Sequence, residues 1–306
     1  MDPAVVAARL VQFPAAVALF GTPLFLLYGA RRSETPPAPG LRGLFAGCAG
    51  GLLVASVAAL CAQTAVMAGD PAAAFDRETL TGVLTGSDFG TSILIRLAAS
   101  AAALVAAAVL RPGRGLWTLL TGLGGLALGS LAWSGHGAAE DGAAGLTHAA
   151  ADIVHLLAAG VWLGALVGLA LLLSQARRAC DAATAQALHD ALAAFSGIGA
   201  GVVALIVASG LVNSWFLVGP RHLLQVAAAP YGRLLLAKLA VFVAMLGLAA
   251  ANRYRLAPSL AKGLAQGDSV PALQALRLSL LVETAAGLVV LLLVSVLGVL
   301  APVAAQ

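Results

Sequence analysis

Charge is scarce in this chain. Of its 306 residues only 10% are Asp, Glu, Lys or Arg, against about 25% in a soluble domain. The hydrophobic share is 61% and the mean hydropathy is +0.98. Such a composition cannot cover a water-facing surface, so lipid is the solvent for most of the chain. Cysteine is limited to Cys48, Cys61 and Cys180, with no C-x-x-C pair, and Cys48 and Cys61 share one apolar run. That excludes a disulfide framework and a zinc ribbon and leaves small apolar fillers. Methionine is limited to Met1, Met67 and Met245, too few for a soft-metal path built on thioethers. The chain also lacks a GxxxxGK[ST] phosphate loop, an HExxH and a GxSxG, so it is neither an ATP-driven pump on its own nor read as an enzyme. The opening "MDPAVVAARL" has no basic stretch ahead of its apolar run, and a retained first helix is expected rather than a cleaved signal.

What is present is length. Eight runs are apolar enough to cross a bilayer, which takes about 20 residues: 5–29, 43–68, 91–110, 115–133, 147–174, 190–218, 231–252 and 277–301. The predicted fold is all-α, a polytopic bundle of eight transmembrane helices forming a single domain over 1–306. Charged and Pro-rich breakers separate the runs. "RRSETPPAPG" (31–40) and "RPGR" (111–114) are read as turns, and "GDPAAAFDRETLTGVLTGSD" (69–88) as an acidic, Gly-rich loop. The glycines of "TGLGGLALGS" (121–130) are read as helix-packing residues. The net charge of +4 and pI near 9.3 do not point to nucleic acid, because the basic residues fall in short connections. The loops after spans 1, 3, 5 and 7 hold Arg31, Arg32, Arg42, Arg111, Arg114, Arg177, Arg178, Arg253, Arg255, Lys262 and Arg277. The other connections hold only Arg77 and Arg221. By the positive-inside rule the first set is cytoplasmic. Both termini then face outward, which is the periplasm if the membrane is a bacterial inner membrane.

A weak repeat runs through the chain. "FGTSILIRL" (89–97) aligns with "YGRLLLAKL" (231–239) at an offset of 142 residues, and "QFPAAVALFG" (12–21) with "HLLAAGVWLG" (155–164) at 143. Two matches at nearly one offset predict that spans 5–8 repeat spans 1–4 in parallel orientation, with halves 1–145 and 146–306.

Ionisable groups inside a bilayer are costly and mark function by default. The fifth span has the densest set. His148, Asp152 and His155, spaced i, i+4, i+7, share one helix face, and Trp162 continues it. Two imidazoles and a carboxylate make half of a site for copper, zinc, iron or nickel. The carboxylate could ligate or orient a His through its other ring nitrogen. His136, in the adjoining outward loop 133–148, could close the site. Hydrogen bonding between helices is the competing role for such residues. Arg96 and Lys238, at matching places in the repeat, could neutralise Asp152, repel cations from a wrong path, or snorkel to the interface. Snorkelling is expected for Arg9. Asn213 is expected to bond another helix. Glu283 is a candidate proton relay or inner end of an ion path, with pairing to an inner Arg as the alternative. Met67, at the outer end of span 2, is an accessory soft ligand or plain apolar surface.

"SGHGAAEDGAAGLTHAAADIVHLLAAGVWLGAL" (134–166), "YGRLLLAKL", "NRYRLAP" (252–258), "DFG" with Arg96, "SGLVNSW" (209–215) and the "VETAAGLVVLLLVSVLG" tail together resemble the CopD/PcoD copper-resistance membrane proteins. The likeness spans most of 88–301. It implies a bacterial inner-membrane protein that moves copper, as Cu(I) or Cu(II), from periplasm to cytoplasm. A periplasmic CopC-like copper-binding protein would be its partner, acting in trans because no such domain is fused here. The motif positions it carries over are His136, His148, Asp152, His155, Trp162 and, more loosely, Glu283. Copper would arrive at His136 and His148, be held by His155 with Asp152, and pass toward Glu283 over a floor made by Trp162. Two other readings stay open: a haem-binding membrane electron carrier, which needs His on two helices at similar depth, and a copper receptor or assembly factor that does not transport.

Overall fold

The computed structural model describes residues 2–29, 40–135, 142–179 and 182–305. Its long helices are α1 (Pro3–Gly29), α2 (Leu41–Ala68), α4 (Asp88–Val109), α5 (Arg114–Gly129), α6 (Gly142–Ala179), α7 (Ala182–Leu217), α8 (Pro230–Ala251) and α10 (Val270–Leu297). Two shorter ones, α3 (Arg77–Gly86) and α9 (Ala257–Gln266), lie between them. Eight helices are long and apolar enough to cross a membrane, and no strand occurs among the described residues. The chain is thus an all-α polytopic membrane protein, in the number of spans expected.

Local chemistry sets the helix ends. The Asp2 carboxylate accepts from the Ala4 amide at 2.7 Å and caps α1, and the left-handed Gly69 (φ 68°) closes α2. The stretch 69–88 is not the loop expected. Asp70 caps a 3-10 turn over Pro71–Phe75, Asp76 caps α3 through the Thr79 amide, and Ser87 caps α4 through the Gly90 amide. Acidic and hydroxyl residues at those positions supply acceptors for free helix amides, a signal the composition of the stretch hides. The seventh span also differs. It runs on past Ala251 through a π-helical turn (Asn252–Leu256) into α9. The loop 133–148 shrinks as well, because α6 begins at Gly142 and His148 is already helical.

Packing centres on α1, which touches α2, α5 and α6 along its length. Its crossing with α6 is made of glycine. A Cβ on Gly21 would stand 2.0 Å from the Gly160 carbonyl oxygen, and one on Gly164 would stand 2.3 Å from Gly21 Cα. Thr22 donates to the Gly164 carbonyl at 3.3 Å. Without a hydrophobic drive between helices in lipid, such close backbone approach is what holds them. Gly124 of α5 serves in the same way against Leu19 and Phe20. One core joins α1, α2, α4 and α5 around Phe45, Leu52, Trp117 and Leu120. A second joins α6, α7, α9 and α10 around Trp162, Leu166, Leu169 and Leu276. The two are not filled alike. α2 packs closely on α4, whereas α8 packs chiefly on α10 and stands off from α6 and α7 across a cavity of about 340 Å³.

Candidate functional site

The cavity is walled by α1, α6, α7, α8 and α10, and its polar lining is concentrated at the end where α6 begins. The stripe read from the sequence is there: His148, Asp152, His155 and Trp162 all line it. At 1.5 Å per residue, each step from His148 to His155 and from His155 to Trp162 descends about 10 Å.

His155 is held from α7. Its Nδ1 lies 3.1 Å from the Ile206 carbonyl and 3.1 Å from Ser209 Oγ. A carbonyl can only accept, so Nδ1 carries the proton, and the Ser209 hydroxyl gives its own hydrogen to Leu205. Nε2 is therefore the nitrogen left with a lone pair. Gly210 makes room for the ring, since a Cβ there would stand 3.4 Å from His155 Cε1. A neutral imidazole fixed through Nδ1 is the form in which His binds a metal. Asp152 accepts from Asn213 Nδ2 at 3.1 Å, the interhelical bond expected of Asn213. His148 is buried and stacks on Phe216, ring centroids 4.7 Å apart and 10° from parallel. His136 lies outside the described residues, next to Gly135, which lines the cavity.

These groups share a wall without forming a finished metal cage. Among the described residues no three His, Cys, Asp or Glu side chains gather closely enough to hold a metal ion. Of the two cations at matching repeat positions, only Lys238 reaches the cavity. Arg96 does not meet Asp152 and does not snorkel. It is fully buried and binds Ser130 Oγ, the Ser130 carbonyl and Ser134 Oγ at 2.8–3.0 Å. Arg9 does not snorkel either. It is 4% exposed, lines the cavity, donates to the Ser134 carbonyl and lies over the Phe13 ring. Burial within reach of backbone acceptors overrides snorkelling for both.

At the far end Trp162, Phe242 and Met245 close the cavity. Behind them Glu283 is buried, accepting from Trp162 Nε1 at 2.9 Å and from Asn252 Nδ2 at 2.8 Å. The alternative of a Glu283–Arg pair is not found, since no Arg lies within ion-pair distance of Glu283 among the described residues and its oxygens take two neutral donors instead. Met67 is 56% exposed at the end of α2 and is absent from the lining. The sulfur at the cavity is Met245, passed over in the sequence because nothing polar flanks it. Ser209, Gly210 and Asn252 were likewise given no role. Ile206, Ser209, Gly210 and Asn213 fall at i, i+3, i+4, i+7, one face of α7, which is the signal that marks the first two.

A helical membrane bundle with a histidine- and carboxylate-lined cavity is the class this architecture defines. Comparison with known proteins narrows it. Residues 1–146 match the family description "Copper resistance protein D-like, N-terminal domain", and residues 189–297 match "Copper resistance protein D". The chain is 37% identical over 304 residues to a Copper resistance protein D of Pseudomonas syringae pv. tomato, covering 98% of this chain and 97% of the relative. It is 30% identical over 263 residues to the Copper transport protein CutJ of Bacillus subtilis (strain 168), covering 82% of this chain and 46% of that relative. No solved structure matches. The chain belongs to the copper resistance protein D family, as the resemblance implied.

Proposed function

We propose that this protein binds copper at His155 and Asp152, with His148 at the mouth, and passes it from the periplasmic to the cytoplasmic side of a bacterial inner membrane. The observation that carries this reading is the hold of α7 on His155 Nδ1. An imidazole pinned through Nδ1 by Ile206 and Ser209 offers a preorganised Nε2 donor where water is scarce. Imidazole and carboxylate suit Cu(II), and the Met245 thioether at the floor suits Cu(I). The positive-inside count supports reading the His148 end and both termini as periplasmic. There a CopC-like protein would deliver the ion, with His136 proposed as a receiving group. Copper leaves past Trp162, with Glu283 as the last acid before the Arg253 end.

The same reading takes the chain as two related halves, 1–145 and 146–306. Under the 143-residue offset Gly21 corresponds to Gly164, and the two touch, as residues on a local two-fold axis do. Gln12 corresponds to His155, and it donates to the Ala55 carbonyl and Ser56 Oγ of α2 much as His155 does to α7. In the first half α2 packs closely on α4; in the second α8 stands off from α6 and α7, and the polar cavity lies there.

The closed floor favours one rival, a receptor that binds copper without passing it. Copper uptake into liposomes carrying the purified protein separates the two. Flux in wild type that is lost in His155→Ala supports transport; stoichiometric binding without flux in wild type overturns it in favour of the receptor.

A further inference from the structure

Resting on the copper reading above, we infer that copper occupies this cavity together with a small exogenous anion. The metal sits on His155 and Asp152, and the anion lies toward Lys238 and Arg9. Three observations carry this.

The donors among the described residues are too few. No three His, Cys, Asp or Glu side chains converge among the described residues, while tetragonal Cu(II) takes four or more donors and even a tetrahedral site takes four. The described residues leave coordination positions for a ligand from outside the chain.

The cavity is too large for a bare ion. Its 340 Å³ falls in the range of small-molecule pockets, roughly 300–1,000 Å³. A single water accounts for about 30 Å³ of liquid.

The charge is of the wrong sign for a naked cation. Asp152 faces two cationic side chains of the lining, Lys238 from α8 and Arg9 from α1. The guanidinium stays charged under all ordinary conditions. Neither cation has an acid within ion-pair distance among the described residues. Arg9 Nε is buried with no hydrogen-bond partner among the described residues, a donor open to an acceptor from outside. Adding a copper cation would deepen the positive excess in a medium where unpaired charge is costly. A monoanion that ligates copper, a halide or a small carboxylate, supplies one of the missing donors and lowers the excess at once.

Azide is the probe, because as a ligand of Cu(II) it gives a charge-transfer band. The full-length protein is purified in halide-free buffer, loaded with Cu(II) and titrated with azide, with the signal normalised to bound copper. The expected result is a saturable copper–azide band in wild type, displaced competitively by chloride or by acetate; whichever of the two competes more strongly identifies the source. Lys238→Gln is expected to weaken azide at least ten-fold, and Lys238→Arg to restore most of the affinity. Copper-loaded wild type with no azide band, or equal azide affinity in wild type and Lys238→Gln, overturns the inference. Failure of the parent reading looks different: His155→Ala would then hold as much copper as wild type.

Discussion

An imidazole inside a bilayer has two nitrogens to satisfy, and α7 satisfies one of those on His155. Ser209 is a support in that arrangement, so its removal should act on affinity and leave the fold intact. We expect Ser209→Ala to weaken copper binding by about ten-fold, the lower end of what second-sphere losses cost, because the Ile206 carbonyl still holds Nδ1. Competition titration against a chelator of known affinity measures this. Unchanged affinity would mean that the Nδ1 contact does not tune the site. The residues of the stripe could be read from the chain because a charge or a His is conspicuous in an apolar run. Their supports could not, because Ser, Gly and Met are ordinary membrane-helix residues until a partner helix is placed against them. For Arg9 and Arg96 the sequence misled in the other direction. A long cationic side chain near a helix end snorkels by default, unless carbonyls and hydroxyls such as those of Ser130 and Ser134 come within reach.

At the scale of elements, the α1–α6 crossing sets where the stripe points. It depends on backbone meeting backbone at Gly21, Gly160 and Gly164. Gly164→Val places methyl groups where Gly21 already stands. Overpacking of this kind costs about 1–3 kcal/mol, and more where the obstacle is main chain that cannot rotate away. The variant should lose thermal stability in detergent, read as a lower unfolding midpoint, while an exposed control such as Gly47→Val, with nothing within 4 Å of its Cβ, should not. Equal midpoints would show that the helices are not locked there. Hydropathy was enough to find every span, since a bilayer admits few alternatives to an apolar helix. It could not distinguish the short capped helices of 70–86 from a loop, nor see that the seventh span continues through a π turn. Those depend on single side-chain caps and on the tertiary bond from Asn252 to Glu283.

For the whole molecule, the unequal packing of α2 on α4 and of α8 on α6 and α7 matters most. Where α2 meets α4 the space is closed; where α7 and α8 diverge it is open and lined by His155, Asp152 and Lys238. Family membership points to copper, and the proposed place for it is the His155–Asp152 end of the cavity. Copper content of the purified protein after loading, for wild type against His155→Ala, tests that most directly. The account predicts a stoichiometric copper in wild type and its loss in the variant. Equal copper in the two, whether high or near zero, would contradict it and leave the stripe on α6 as interhelical hydrogen bonding.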